Sequence, residues 1–425
     1  MGAVRETFAA FLRLGLTSFG GPIAHLAYFH REFVGRRRWM GAAEFADTVA
    51  LCQFLPGPTS SQVGFAIGLR RAGIAGGLAA WTAFTLPSAV AMAAAGWMLA
   101  SAPEVQHQGW LAGLRSFGAA VVAHAVLGMV RTLAPTAGRV ALATIVAGAL
   151  LAAGRWMGSG GAAALLQPAA IALGATVGVV AFAQVTAPAA GSTDGMPVPA
   201  HPPALPRRAA AIALAAAVGS VVLASIPWGG QSVAAAAARC VQAGALVFGG
   251  GHVVLPLLEQ PFAAAGWADR ETVMSGYALV QAMPGPLFSL ASYLGAAMAA
   301  PAGAASAFAG ALLLTLSIFL PGLLLVVAAL PAWSRLRAAP HLRGALAGAK
   351  CAVIGLLAAA LALDVVPAAA IVEGGLAWSV IWFGALLYQD RLVDWGKSFP
   401  LVPVHAPMLL TAVAAAICGQ LTLGR

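Results

Sequence analysis

The chain is short of charge, and shortest of acid. Of its 425 residues only 8% are charged, 13 acidic against 23 basic, where a soluble globular domain carries roughly 25%. That scarcity excludes an ordinary water-facing fold. Cysteine is scarce too: Cys52, Cys240, Cys351 and Cys418 are scattered through apolar stretches without metal-ligand spacing, and each reads as a small buried hydrophobe rather than half of a disulfide. The chain has no Walker A motif, no dinucleotide fingerprint and no large soluble segment, so any use of ATP would need a separate partner. No apolar stretch presents a Ser-His-Asp set, a His-rich pattern or a close run of acids. Neither an enzyme nor a bound cofactor is expected.

What is abundant is apolar: 61% of the residues are hydrophobic. Thirteen apolar stretches follow one another, at 8–28, 43–67, 72–100, 111–130, 140–154, 165–187, 209–227, 236–257, 272–299, 303–329, 345–363, 368–388 and 400–418. Several reach the roughly 20 residues that a helix needs to span a bilayer; 140–154 is short and reads as tilted, extended or partly interfacial. The expected class is an all-α polytopic membrane protein. The first stretch ends without a small-x-small cleavage site, so a removed signal peptide is not expected. A net charge of +10 would suggest nucleic acid in a soluble chain. Here the basic residues sit in short loops, as the positive-inside bias places them, and no nucleic-acid partner is expected.

Two apolar stretches are interrupted by the same device. Residues 54–58 read Phe-Leu-Pro-Gly-Pro and 282–286 read Ala-Met-Pro-Gly-Pro, preceded by Gln53 and Gln281. Proline lacks the donor and clashes with the preceding turn, and glycine adds backbone freedom, so a helix through either site breaks. In lipid, broken backbone is tolerated only where protein or a water-filled cavity surrounds it. The two sites are therefore pointers to a transport pathway. More of the chain repeats around them: Phe19-Gly20-Gly21-Pro22 pairs with Phe248-Gly249-Gly250-Gly251, Trp39 lies near the counterpart of Trp267, and Thr85-Leu86-Pro87 pairs loosely with Phe319-Leu320-Pro321. An ordered series of this kind is the signature of an internal repeat. The expected division is a first repeat over 1–187, a Pro/Gly linker over 188–208, a connecting helix within 209–235 and a second repeat over 236–425.

Arginine orients the repeats. The loop with Arg31, Arg36, Arg37 and Arg38, and Arg70-Arg71 beyond the first break, both belong on the cytoplasmic side. Both are satisfied if 43–69 folds back at Pro56–Pro58. The loop Ser101–Trp110, placed outside, holds Glu104 but no Arg or Lys. The crossing at 209–227 then turns the second half over, which puts Asp269-Arg270-Glu271 outside and Arg335, Arg337 and Arg343 inside. The expectation is two inverted-topology repeats with broken helices or re-entrant helical hairpins. Simple alternation of all the stretches would instead place the basic loop and Arg70-Arg71 on opposite faces.

The breaks offer a binding site rather than a reactive one. Thr59, Ser60, Ser61 and Gln62 follow the first, Ser289 and Ser292 the second, and Gly57 and Gly285 lie within them. A half-helix beginning there has N–H groups without intrahelical partners and the positive end of the peptide dipole. Two such starts brought together form an anion site suited to a tetrahedral oxyanion; the alternative is that the hydroxyls only cap the half-helices. Gln53 and Gln281 are placed to donate to a ligand or to satisfy a freed carbonyl. Gly20, Gly21, Gly250 and Gly251 mark a second pair of breaks, with His25 and His252 just after them. Among charges in apolar surroundings, Glu44 and Asp47 are placed to couple protons or to pair with Arg13 or Arg38. Arg239 and Lys350 are candidate pathway cations, or snorkelling ones.

These motifs resemble the chromate transporter family of bacterial and archaeal inner-membrane proteins. The likeness rests on Ser18-Phe19-Gly20-Gly21-Pro22 with His25-Leu26, then Trp39, Phe45, Ala50-Leu51, Leu55-Pro56-Gly57-Pro58, Gln62, Gly68 and Leu86-Pro87-Ser88. In the second half it rests on Phe248 to Gly251, Ala278-Leu279, Gln281, Pro284-Gly285-Pro286, Tyr293-Leu294-Gly295 and Leu320-Pro321-Gly322. Phe65 departs toward phenylalanine where tyrosine is common, and Gly251 stands opposite Pro22. The resemblance implies chromate as substrate, export as direction and sulfate as competitor or exchange partner. A homodimer is a further expectation.

Overall fold

Proline and glycine set where the helices stop. The computed structural model describes residues 2–102, 104–105, 108–157, 161–182, 206–226, 228, 230–248, 251–366, 375–396 and 406–423; Gly250 and nearly all of the linker expected at 188–208 lie outside them. Helix α1 (Gly2–Thr17) ends at a left-handed turn in which Gly20 and Gly21 have φ of 94° and 74°. Helix α2 (Gly21–Phe29) restarts with Pro22 in its first turn, where a missing N–H costs nothing, and widens over His30–Arg36. Helix α3 (Ala42–Phe54) stops at the first Pro-Gly-Pro. Helix α4 (Thr59–Ser101) reverses at Ala72 and Gly73. Its limbs 59–71 and 74–101 lie back to back, so close that a Cβ on Gly68 or Gly76 would stand 2.3 Å from the other's carbonyl oxygen. Then follow α5 (Gly109–Leu133), α6 (Ala137–Met157) and α7 (Gly161–Ala181). The short apolar stretch at 140–154 is thus the middle of a 21-residue helix.

The second half runs through the same sequence of elements after one extra helix, α8 (Arg207–Ala224). Helix α9 (Val233–Leu246) is followed by a helical turn at Gly251–Val253, α10 (Val254–Ala264) and α11 (Arg270–Ala282). After the second Pro-Gly-Pro come a turn at Leu287–Ser289, α12 (Leu290–Ala299), a reversal at Gly303 and α13 (Ala304–Ala329). The chain closes with α14 (Trp333–Ala338), α15 (Pro340–Ala360), α16 (Gly375–Gly396) and α17 (Ala406–Leu423). Helix α8 buries Ala213, Ala217 and Ala224 against α9 and α13 and exposes Ile212, Leu214, Val218 and Val222. Apolar exposure on that scale suits lipid, not water. Among the described residues five helices are long and apolar enough to cross a bilayer: Thr59–Ser101, Gly109–Leu133, Arg207–Ala224, Ala304–Ala332 and Pro340–Leu363. The protein is an all-α, multi-pass membrane protein.

Its packing contacts recur in pairs, one per half. A Cβ on Gly15 of α1 would meet the Phe84 carbonyl of α4 at 2.7 Å, and one on Gly244 of α9 would meet the Ile318 carbonyl of α13 at 2.0 Å. Helix α5 packs on α16 and α17, while α15 packs on α6 and α7, so each half lends a long helix to the other's terminal pair. Small residues four apart line both seams, Gly109 and Gly113 against Ala415 and Gly419, and Gly344 and Gly348 against Gly174 and Gly178. Without a hydrophobic drive between helices in lipid, close backbone packing of this kind supplies the attraction.

Among the described residues ion pairs collect at two places. At the first, Arg70 Nη1 meets Glu44 Oε1 at 2.8 Å, Arg71 and Arg37 reach Glu6 at 3.0 and 3.1 Å, and Arg37 also meets Glu32 at 2.7 Å. Arg37 and Arg71 stand over the Trp39 ring, 5.3 and 5.1 Å from its centre. The hydrogen-bonded Arg71 guanidinium holds the Glu6 carboxyl below the usual carboxylate range. At the second, Arg115 pairs with Glu271, and Arg270 Nε meets the buried Glu259 at 2.7 Å. Limb 74–101 runs from the first toward the second, about 40 Å at 1.5 Å per residue.

The glycine seams give a direct check. Gly348→Leu forces a side chain into the backbone of α7, where a Cβ already stands 2.0 Å from the Gly174 oxygen, and the protein loses at least about 2 kcal/mol of stability. Gly384→Ala, at a position with nothing within 4 Å of the added Cβ, stays near wild type. Thermal unfolding of the purified protein in detergent measures both.

Candidate functional site

The two Pro-Gly-Pro breaks meet the ends of α1 and α9 in the interior and bond to them across the halves. The Gly57 N–H donates to the Val247 carbonyl at 2.7 Å, and the Gly285 N–H donates to the Ser18 carbonyl at 2.9 Å. Gly57 and Gly285 are the central residues of the two Pro-Gly-Pro breaks; Ser18 and Val247 precede Phe19-Gly20 and Phe248-Gly249. Each Pro-Gly-Pro glycine of one half therefore bonds to the chain just past the first helix of the other. Both glycines have positive φ, 126° and 107°, a region closed to L side chains with little exception.

Side chains from the crossing limbs secure the joint. Gln62 Nε2 donates to the Pro56 and Gly322 carbonyls at 2.8 and 3.1 Å. On the opposite break Ser88 donates to the Thr85 carbonyl at 3.0 Å and stands 2.7 Å from Ser289 Oγ. With the Ser88 proton committed, Ser289 is the donor. Ser292 donates to the Ala89 carbonyl at 2.6 Å. His25 is buried with Nε2 3.2 Å from the Ser18 carbonyl oxygen, so Nε2 carries the proton and that oxygen accepts twice. Gly251 packs on Leu287, at the start of the second half-helix. Gly250 and the His252 side chain lie outside the described residues.

What remains open at the joint is a set of polar groups, three hydroxyls that can donate and one amide oxygen that only accepts. Thr59, Ser60, Ser61 and Gln62 are all buried. No side chain caps the helix starts at Thr59 and Leu287, whereas Ser232 caps α9 and Asp269 caps α11. The hydroxyls of Ser18, Ser61 and Thr85 and the Gln62 amide oxygen are buried without a hydrogen-bond partner. An unmet buried polar group costs about 1–3 kcal/mol. The unmet hydroxyls, together with the uncapped helix starts, are groups that can donate to a polar ligand.

Other expected site residues lie elsewhere or are occupied. Gln281 is buried and bonds to Tyr277, but its counterpart Gln53 is exposed. Glu44 pairs with Arg70 rather than with Arg13 or Arg38, because limb 59–71 returns Arg70 to the start of α3. Asp47 accepts from Trp333 Nε1 at 2.8 Å. Arg239 bonds to Gln242, which bonds to the end of α8, and stands apart from the breaks. Lys350 lies within α15, half-buried. Sequence reasoning missed Ser88, whose partner comes from the other half, and Arg115, whose one signal was a lone cation in an apolar stretch. Among the described residues no three His, Cys, Asp or Glu side chains gather as metal ligands.

Broken helices joined at an interior of hydroxyls and backbone donors, in a multi-pass bundle, define a membrane transporter. The chain belongs to the chromate transporter family: the family's sequence profile matches residues 5–179 and 234–419, the two halves without the linker and α8. It is 29% identical over 366 residues to the chromate transport protein of Pseudomonas aeruginosa, covering 83% of this chain and 79% of that one. It is 26% identical over 368 residues to a probable chromate transport protein of Synechococcus elongatus, covering 84% of each. Over 85 residues it is 40% identical to an uncharacterized transporter of Methanocaldococcus jannaschii, which is 20% of this chain and 21% of that protein. No solved structure matches it.

The unpartnered hydroxyls separate a binding role from a structural one. Ser61→Ala removes a group that bonds to nothing in the fold, so thermal stability stays within about 0.5 kcal/mol of wild type or rises. The stabilisation that an added tetrahedral oxyanion gives is lost in the same variant. Ser88→Ala, which leaves Ser289 without its acceptor, costs about 1–2 kcal/mol with or without the anion. Equal loss of folded protein and anion binding in Ser61→Ala would mean that Ser61 only caps its half-helix.

Proposed function

We propose that this protein carries chromate out across the plasma membrane, the inner membrane in a Gram-negative cell, as a secondary transporter. The site is the joint of the four breaks, exposed alternately to the two sides. The observation that carries this reading is the reciprocal pair Gly57–Val247 and Gly285–Ser18 beside uncapped helix starts and unmet hydroxyls. Chromate is a tetrahedral dianion with four acceptor oxygens. Backbone N–H groups of 59–61 and of Leu287 and Phe288, with the Ser61 hydroxyl, answer that shape with donors and with the positive ends of two peptide dipoles. The family membership and the names of the two long relatives favour chromate over other oxyanions.

The same reading includes topology. Segment 42–71 is a re-entrant hairpin open to the cytoplasm, and 270–299 is its inverted counterpart from the outside. Support comes from the Glu44–Arg70 pair, which holds the two ends of the first hairpin together. Further support is the Arg115–Glu271 pair, which lies at the other end of limb 74–101.

Purified protein in liposomes is expected to move chromate without ATP and without changing the oxidation state of chromium. Sulfate, of like shape and charge, competes or exchanges, since specificity is a difference of affinities. Absence of chromate flux under imposed proton, ion and sulfate gradients contradicts the assignment. Sulfate flux without chromate flux selects sulfate as the substrate of the same site.

A further inference from the structure

Arg115 and Lys350 hold the same place in the two halves. Residues 109–115 read Gly-Trp-Leu-Ala-Gly-Leu-Arg and 344–350 read Gly-Ala-Leu-Ala-Gly-Ala-Lys. In each helix the two glycines form the seam against a terminal helix of the other half. Two residues past the second glycine is about 200° around a helix, so both cations stand on the face turned away from that seam. Arg115 uses this face to hold α11: Nε donates to Ser275 Oγ at 2.8 Å, and Nη1 pairs with Glu271. One turn on, a Cβ at Gly118 would meet Ala278 at 3.4 Å. Under this cover α11 is buried continuously from Val273 to Gln281.

The matching contact in the other half is open. Asp47 corresponds to Ser275, each six residues ahead of the glutamine in Gln-x-x-Pro-Gly-Pro. Ala42, Ala46, Ala50 and Gln53 are exposed along one face of α3, whereas Met274, Ala278 and Gln281, counterparts of the last three, are buried. Lys350 has no carboxylate partner among the described residues, and the charge beside it, Arg139, has the same sign. Asp47 is held meanwhile by Trp333. One half therefore has cation, acid and hydroxyl engaged over a covered helix. The other has the cation and the acid apart, with the helix face bare.

We propose that the bare face of α3 is the docking surface for α15 of the same chain in the opposite conformation, where Lys350 takes Asp47 from Trp333. The pairs α5–α11 and α15–α3 then close in turn, and the present structure is the state closed at the Arg115 end and open at the Lys350 end. Repeats of opposite orientation reach their two states by exchanging conformations, and the charge pattern supplies what each closure needs: Arg115 with Glu271 and Ser275 at one end, Lys350 with Asp47 at the other. The inference rests on the transport reading above, which it extends by naming the two latches.

Labelling of single cysteines tests it, on a background without Cys52, Cys240, Cys351 and Cys418 that still carries chromate. A water-soluble maleimide reacts with Ala50→Cys from the cytoplasmic side and hardly with Ala278→Cys. Glu271→Gln weakens the engaged latch, so labelling rises roughly tenfold at Ala278→Cys and falls by a similar factor at Ala50→Cys, because both report one equilibrium. Adding Lys350→Ala abolishes the fall at Ala50→Cys. In flux, Asp47→Lys and Lys350→Asp each slow transport roughly tenfold, and the two together recover most of it. Labelling that rises at both positions, or no reaction at Ala50→Cys in any variant, which would place that face in lipid, overturns the proposal. Wild-type flux with such labelling contradicts the latches alone; absence of wild-type flux contradicts the transport reading itself.

Discussion

Two backbone hydrogen bonds, Gly57 to Val247 and Gly285 to Ser18, make the rest of this architecture possible. A helix broken in the middle of a membrane leaves donors and acceptors that lipid cannot satisfy, at several kcal/mol each. Among its described residues this chain breaks at both Pro-Gly-Pro motifs and at Gly20-Gly21. It meets part of the cost by setting each Pro-Gly-Pro glycine against a carbonyl just past the first helix of the other half, so that neither half is complete alone. The same arrangement gathers the donors that stay unmet, the hydroxyls of Ser18, Ser61 and Thr85, in the interior where the halves meet. A set of unmet hydroxyls and a satisfied broken backbone are thus two consequences of one junction.

Exchange extends outward from it. Helices α5 and α15 leave their own halves to pack on the terminal helices of the other, along seams of small residues close enough to bring backbones into contact. Among the described residues the named ion pairs form two groups. There, carboxylates pair with arginines and hold one helix or loop on another. Glu6, Glu32 and Glu44 serve the first group, Glu259 and Glu271 the second. The scarcity of acid in the composition reflects this: few acids are needed, and most of those placed have a named partner.

Much of this was legible in the sequence because the signals are local. Pro-Gly-Pro breaks a helix wherever it falls, so both breaks could be placed to the residue, and the repeat followed from the matched spacing of Gln53 and Gln281. Arginine positions led to the expectation that the basic loop and Arg70-Arg71 share a side, and Arg71 does stand with Arg37 over Trp39. Long-range partners were not legible. Nothing near Glu44 in the chain points to Arg70, and nothing near Ser289 points to Ser88, because those pairs are made by reversals and by exchange between halves. Gln53 and Gln281 look equivalent in sequence, yet one is exposed and the other buried; identical motifs in two repeats need not occupy identical states. The glycine seams were hidden for another reason, since Gly109, Gly113, Gly344 and Gly348 are four among 50 glycines.

A structure of the protein with chromate bound, in lipid nanodiscs, tests the central claim most directly. One anion is expected within hydrogen-bonding distance of the helix starts at 59–61 and 287–289, with the Ser61 hydroxyl turned toward it. An anion held only by the arginines at either end, with Ser18, Ser61 and Thr85 bridged by ordered water, would contradict the account.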